Sequence, residues 1–99
     1  MNVLVTARHT DVSDDIRDRA QELVERAVKK AGRVTRAEAI LDVDHDQCVV
    51  EFHLYFARGG TKTATAEASD FRTALDRAAS KLENHLDKTR PSANRRAAS

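Results

Sequence analysis

Apolar residues in this chain change their spacing from one segment to the next, and that rhythm leaves few folds open. Val50, Phe52, Leu54 and Phe56 alternate with Glu51, His53 and Tyr55. A period of two puts one set on a buried sheet face and the other on the opposite face. Ala37, Ala39, Leu41 and Val43 alternate in the same way with Glu38, Ile40, Asp42 and Asp44. A shorter strand over Asn2–Ala7 sets Val3, Val5 and Ala7 against Leu4 and Thr6, and Thr61–Ala68 gives a fourth strand of Thr and Ala. Ile16, Ala20, Leu23, Val24, Ala27 and Ala31 instead recur every three or four residues, as do Phe71, Ala74, Leu75, Ala78, Leu82 and Leu86. That spacing draws a single apolar stripe along each of two helices.

The boundaries carry their own chemistry. Ser13 is a good N-cap, and Asp14 and Asp15 put negative charge on the first turn, where the helix dipole favours it. Gly32 stands where a residue of positive φ would close that helix. Asp44-His45-Asp46-Gln47 and Arg58-Gly59-Gly60 are turn sequences, and Ser69-Asp70 opens the second helix. Pro91 cannot continue a helix, so the second is expected to end at or before Arg90.

The resulting order, β-α-β-β-β-α, predicts an α+β fold with a four-stranded mixed sheet and two helices packed on one face. The first two strands would be parallel through a right-handed crossover, and the last three antiparallel through short turns. One apolar sheet face and two apolar helix stripes then bury one another. Leu4, Ile40, Val49 and Tyr55 fall on the other face, which is more apolar than plain solvent requires and open to a partner. With 99 residues the chain has room for one core. Residues 1–90 are read as that domain, and 91–99 as a flexible tail or the start of a linker.

Net charge is only +1, but it is unevenly spread. Residues 1–57 carry −3 and residues 58–99 carry +4, and residues 26–36 hold Arg26, Lys29, Lys30, Arg33 and Arg36 with no acid. Local fields steer a polyanion more than the total does. The single cysteine, Cys48, rules out an intramolecular disulfide and a cysteine-based zinc site. Asp42-x-Asp44-x-Asp46 looks like the start of a calcium loop, but Gln47 and His53 stand where glycine and glutamate are needed. His9, His45, His53 and Cys48 have no metal-ligand spacing, so neither a metal nor another cofactor is expected. Cys48 with a nearby histidine is the one nucleophile arrangement available, and it sits at a strand start like a structural residue. A catalytic role is therefore not expected. There is no secretory signal pattern and no apolar run of membrane-span length, so a cytoplasmic location is expected.

Several stretches resemble the ribosome hibernation-promoting factor family, also called the ribosome-associated inhibitor A or sigma-54 modulation proteins. Val3-Leu4-Val5-Thr6-Ala7-Arg8-His9 resembles the family's opening strand, and Val12-Ser13-Asp14-Asp15-Ile16-Arg17 its first helix start. Gly59-Gly60-Thr61 and Ala64-Thr65-Ala66-Glu67-Ala68 resemble its third turn and last strand. Asp70-Phe71-Arg72-Thr73-Ala74-Leu75-Asp76, with Lys81-Leu82-Glu83, resembles its second helix. The ordered set, over residues 1–90, is more specific than any one piece. The resemblance implies a non-enzymatic protein that binds the small ribosomal subunit between head and body. There it would cover the messenger and transfer RNA sites and inhibit translation in stress or stationary phase. Its partners would be the small subunit and its ribosomal RNA, with no membrane and no small-molecule substrate. The resemblance also implies that Arg26 and Lys29 on the first helix, and Lys81 and Lys88 on the second, contact RNA.

The residues themselves extend that set. Lys30 and Arg33 continue the first patch, and Arg77 lies four residues before Lys81 on the same flank. Two basic rows on neighbouring helices would line a positive groove for phosphate. Recognition would be by shape and backbone, since Phe52, Phe56 and Phe71 look committed to the core and leave only Tyr55. Two other binding modes fit the same pattern. One is a shape-selective double-stranded RNA module, and the other a protein-interaction module using the open sheet face.

Overall fold

The structure is a computed structural model, and it describes residues 2–88, with side chains to Leu86. The elements are β1 (Asn2–Ala7), α1 (Asp14–Ala31), β2 (Val34–Asp44), β3 (Gln47–Phe56), β4 (Thr61–Ala68) and α2 (Phe71–Lys88). Their order is the expected one. The expected stop of α2 before Pro91, and the tail over 91–99, lie outside the described residues.

The sheet runs β1-β2-β3-β4, with β1 parallel to β2 and the other pairs antiparallel. β2 and β3 are each three residues longer at their outer starts than the alternation alone indicates. Their added residues are paired, Val34 with Phe56 and Asp44 with Gln47. Ladder bonds thus carry the strands past the point where the apolar alternation fades. His45 and Asp46 form the tight hairpin turn between them, both at positive φ (50° and 65°), the backbone that matches the twist of the flanking strands.

Both helices lie on one face and run opposite to the strand before them, so they are parallel to each other. Phe52, Leu41, Leu54, Leu75, Leu82, Val24 and Val50 are the largest fully buried side chains beneath them. Across the sheet, Phe52 is flanked by Ala39 on β2 and Ala64 on β4. One large ring thus fills the room left by two alanines. On the opposite face Leu4 is 46% exposed, whereas Ile40 is only 6% exposed although it stands outside the main core cluster. Its neighbours on that face, Thr6 and Glu51, are paired directly across from it and cover it.

The helix ends behave as their residues dictate. Ser13 Oγ accepts from the Ile16 amide at 3.2 Å, and the Gly32 amide donates to the Val28 carbonyl at 3.0 Å with φ of 69°. Ser13→Ala should cost about 1 kcal/mol of stability, the usual worth of such a cap. The check is a fall in the urea midpoint with an unchanged denaturant slope. Asp70 accepts from the Thr73 amide and hydroxyl, each at 2.9 Å. These bonds hold its carboxyl below the ordinary value of 3.8. The unfolded chain then binds that proton more tightly than the folded one. The Asp70 contribution is complete at neutral pH and is lost as pH falls below about 4 through the folded value. Asp70→Asn keeps an N-capping side chain. Its urea midpoint should fall less than the wild type's between pH 5 and pH 2.

Candidate nucleic-acid interface

The topology sorts charge toward two ends of the molecule. β1 and β2 finish at the end where α1 begins, where the β2–β3 turn lies, and where β4 leads into α2. That end carries Asp14, Asp15, Asp42, Asp44, Asp46 and Asp70. There His9 Nδ1 lies 3.0 Å from Asp42, which with the Val43 amide draws the Asp42 carboxyl below its ordinary value. His45 pairs with Asp44 at 2.7 Å.

The opposite end is basic. α1 ends on Lys29 and Lys30, both exposed, in the turn where a helix dipole favours positive charge. Arg33 follows in the left-handed region, with φ of 57°, and is exposed outside the helix. Its carbonyl accepts from the Ala57 amide at 2.9 Å. That bond extends the β2–β3 ladder, in which Val34 pairs with Phe56, Arg36 with Tyr55 and Ala37 with Leu54, so that two acid-free stretches of the chain, residues 26–37 and 52–66, lie side by side. It places Lys29, Lys30 and Arg33 beside the Ala57–Gly60 turn with exposed Arg58, and toward the same end as Arg36 and Lys62 among the first residues of β2 and β4. Lys29, Arg33 and Arg58 make no ion pair among the described residues. Arg26, one turn earlier, is exposed and 3.8 Å from Glu22.

The two expected basic rows are not side by side. Successive residues on a helix point about 100° apart, and α2 turns Asp76 toward α1, where Arg19 meets it at 3.1 Å. This hydrogen bond, with the charge of Asp76, raises the Arg19 pKa. Arg77 and Lys81 therefore point to the far flank. Arg77 donates to the Glu67 carbonyl at 2.9 Å and Lys81 to the Thr65 carbonyl at 2.8 Å, while His85 Nδ1 lies 3.1 Å from the Thr63 carbonyl. These are alternate carbonyls on the outer edge of β4, which would otherwise be open for pairing with another strand. Arg17 meets the Val5 carbonyl on the other edge strand at 3.0 Å. Arg77 and Lys81 stay exposed while making these bonds. Lys88, expected in the same row, is the last residue of α2, and its side chain lies outside the described residues.

The helix-1 patch was thus legible from sequence, while Arg36, Arg58 and Lys62 were not assigned to it. The acid-free run over 52–66 was the available signal. It needs the strand register to bring it against α1.

Cys48 is partly buried near the start of β3. Its thiol points at the Ser69 carbonyl at 3.8 Å, and partial burial, with the nearby Asp70 charge, pushes its pKa up, away from the reactive thiolate. Among the described residues no group of three or more His, Cys, Asp or Glu is arranged to hold a metal ion, and no helix is long and apolar enough to cross a membrane.

Residues 3–92 match the family described as Sigma 54 modulation protein / S30EA ribosomal protein. The chain belongs to that family. It is 32% identical over 88 residues to the ribosome hibernation promoting factor of Pseudomonas putida, covering 89% of this chain and 85% of that protein. To the factor of the same name from Azotobacter vinelandii it is 31% identical over 88 residues, covering 89% and 81%. The fold is that of the Protein Y N-terminal domain of Thermus thermophilus, with a TM-score of 0.74, 24% identity, and coverage of 91% of this chain and 100% of that one. It is also that of a ribosomal subunit interface protein from Coxiella burnetii, with a TM-score of 0.71, 24% identity, and coverage of 89% and 96%.

Proposed function

We propose that this chain is a ribosome hibernation factor that grips small-subunit RNA with its basic end. It would sit between head and body, over the messenger and transfer RNA sites, and keep the ribosome idle in stress or stationary phase. The observation that carries this reading is the meeting of two acid-free stretches at the Arg33–Ala57 hydrogen bond. Family membership and the names of the relatives support it.

The mechanism is occupation, and no covalent bond is made or broken. Arg26, Lys29, Lys30, Arg33 and Arg58 meet phosphates at the end of α1. Arg77 and Lys81 add a lateral row along β4, each giving an edge carbonyl one hydrogen bond while presenting its charge outward. The acidic end is repelled by the same phosphates, so the field of the whole molecule orients it as it approaches. A protein of net charge +1 can then engage a polyanion strongly at one end only.

Co-sedimentation with purified small subunits across a salt series tests this. Seven phosphate contacts correspond to a log–log slope of about −5 to −6. Bound protein should also be displaced by messenger and initiator transfer RNA in excess. A flat salt response, or tight binding to short free RNA duplexes in place of subunits, would overturn the assignment.

A further inference from the structure

We propose that the open sheet face takes one unpaired nucleobase, stacked on Tyr55 and held through Arg36, next to the basic end. This rests on the RNA-binding reading and names the kind of RNA feature that reading leaves open. The phosphate-gripping residues at the end of α1 cannot tell a paired nucleotide from an unpaired one. The sheet face can.

Tyr55 on β3 and Arg36 on β2 are directly paired across strands, and the guanidinium carbon lies 5.4 Å from the phenol ring centroid. His53, two residues back on the same face, lies near-parallel to Tyr55, with 6.4 Å between centroids and 16° between planes. Arg36 thus lies over the Tyr55 ring and His53 at a distance beyond ring contact, so the three flat groups form a cluster on this face. Acids fix its members, since Glu51 lies 3.1 Å from His53 and Glu38 lies 3.9 Å from Arg36. Arg36 is still 52% exposed. On the β4 side the neighbour of Tyr55 is Thr61, small and exposed, so the ring is not crowded from there.

Charge settles where on this face a nucleotide can sit. Asp42 and Asp44 stand farther along the same face of β2, at the acidic end, and Glu67 faces Val49 on β4. They repel phosphate. Arg36 lies at the basic end, as do Arg33 and Arg58 on the adjoining loops. A strand whose backbone crosses those cations can therefore lay a single base on Tyr55 while Arg36 meets the flanking phosphate. Aromatic stacking tolerates any base because every base presents a π-face.

Tyr55 is the sole tyrosine and there is no tryptophan, so its emission reports on this site alone. The probe is an eight-nucleotide unstructured RNA of adenine and uracil, beside a ribose-phosphate octamer lacking bases. The RNA should quench Tyr55 emission after correction for its absorption, and the base-free octamer should not. Tyr55→Thr, a change suited to a strand, should weaken RNA binding by about 5- to 150-fold and leave the salt slope unaltered. Tyr55→Phe should bind as wild type, and Arg36→Gln should flatten the slope by about 0.7. Unmoved emission, or unchanged affinity in Tyr55→Thr, would overturn the proposal. Small-subunit binding separates the two readings. If Tyr55→Thr co-sediments like wild type while reversal at Lys29 and Arg33 abolishes pelleting, the phosphate grip stands and the base site does not.

Discussion

Reversing Lys29, Arg33 and Arg58 together is expected to lower affinity for small subunits by on the order of 10²–10³-fold near 0.1 M salt. Each lost phosphate contact returns counterions to the RNA and takes roughly 0.7 to 0.9 from the log–log salt slope. Three should flatten it by about 2 to 3. The changes are best made as Lys29→Glu, Arg33→Asp and Arg58→Glu, because Arg33 is left-handed with φ of 57° and aspartate tolerates that backbone. None of the three side chains is buried or ion-paired among the described residues, so stability should hold within about 0.5 kcal/mol. Arg77→Gln with Lys81→Gln makes the informative contrast. Those residues hold the β4 edge, so their loss should act partly through aggregation by edge pairing, visible in light scattering. Equal pelleting of the triple variant and the wild type at 0.1 M salt would show that the basic end is not the grip.

Phe52→Ala is expected to have the largest effect on stability, roughly 3–5 kcal/mol. Phe52 is fully buried on a central strand, and Ala39 and Ala64 are its cross-strand neighbours. Alanines cannot reach into the space a lost ring leaves, so the cavity stays open. Against the usual net stability of about 5–15 kcal/mol, this change removes much of what a small domain has. The corresponding fall in Tm is roughly 12–40 °C for a chain of this size, read by circular dichroism. Leu4→Ala, on the open face, should leave Tm nearly unchanged, since that side chain is already 46% exposed. A drop of under 5 °C for Phe52→Ala would mean the sheet and helices close over the gap.

Much of this molecule is legible one segment at a time. The Ser13 cap, the Gly32 stop, the Asp70 cap and the faces of Val50, Phe52 and Leu54 all follow from interactions within a few residues. The outer ends of β2 and β3 were harder, because Val34, Arg36 and Cys48 join the ladder through backbone bonds, with Thr35 bulged between the first two, and no apolar rhythm marks them. The candidate interface divides the same way. Lys29, Lys30 and Arg33 lie within five residues of one another and declare themselves as a patch. Arg58 is 25 residues from Arg33 and comes beside it only because the β2–β3 ladder and the Ala57–Arg33 hydrogen bond bring their segments together.

The order of strands and helices, their buried faces and their caps were determined by the sequence, because period and capping are local properties of a peptide. Only the tertiary structure decided which flank of α2 meets α1. The Arg19–Asp76 pair turns Arg77 and Lys81 outward to the β4 edge, not into a groove between helices. It also decided that charge would separate toward opposite ends, since that depends on strand register between segments far apart in the chain. The apolar stripe fixes how α2 is turned on the sheet, but which of its two flanks meets α1 depends on where the rest of the chain places α1, and no reading of α2 alone could have supplied that.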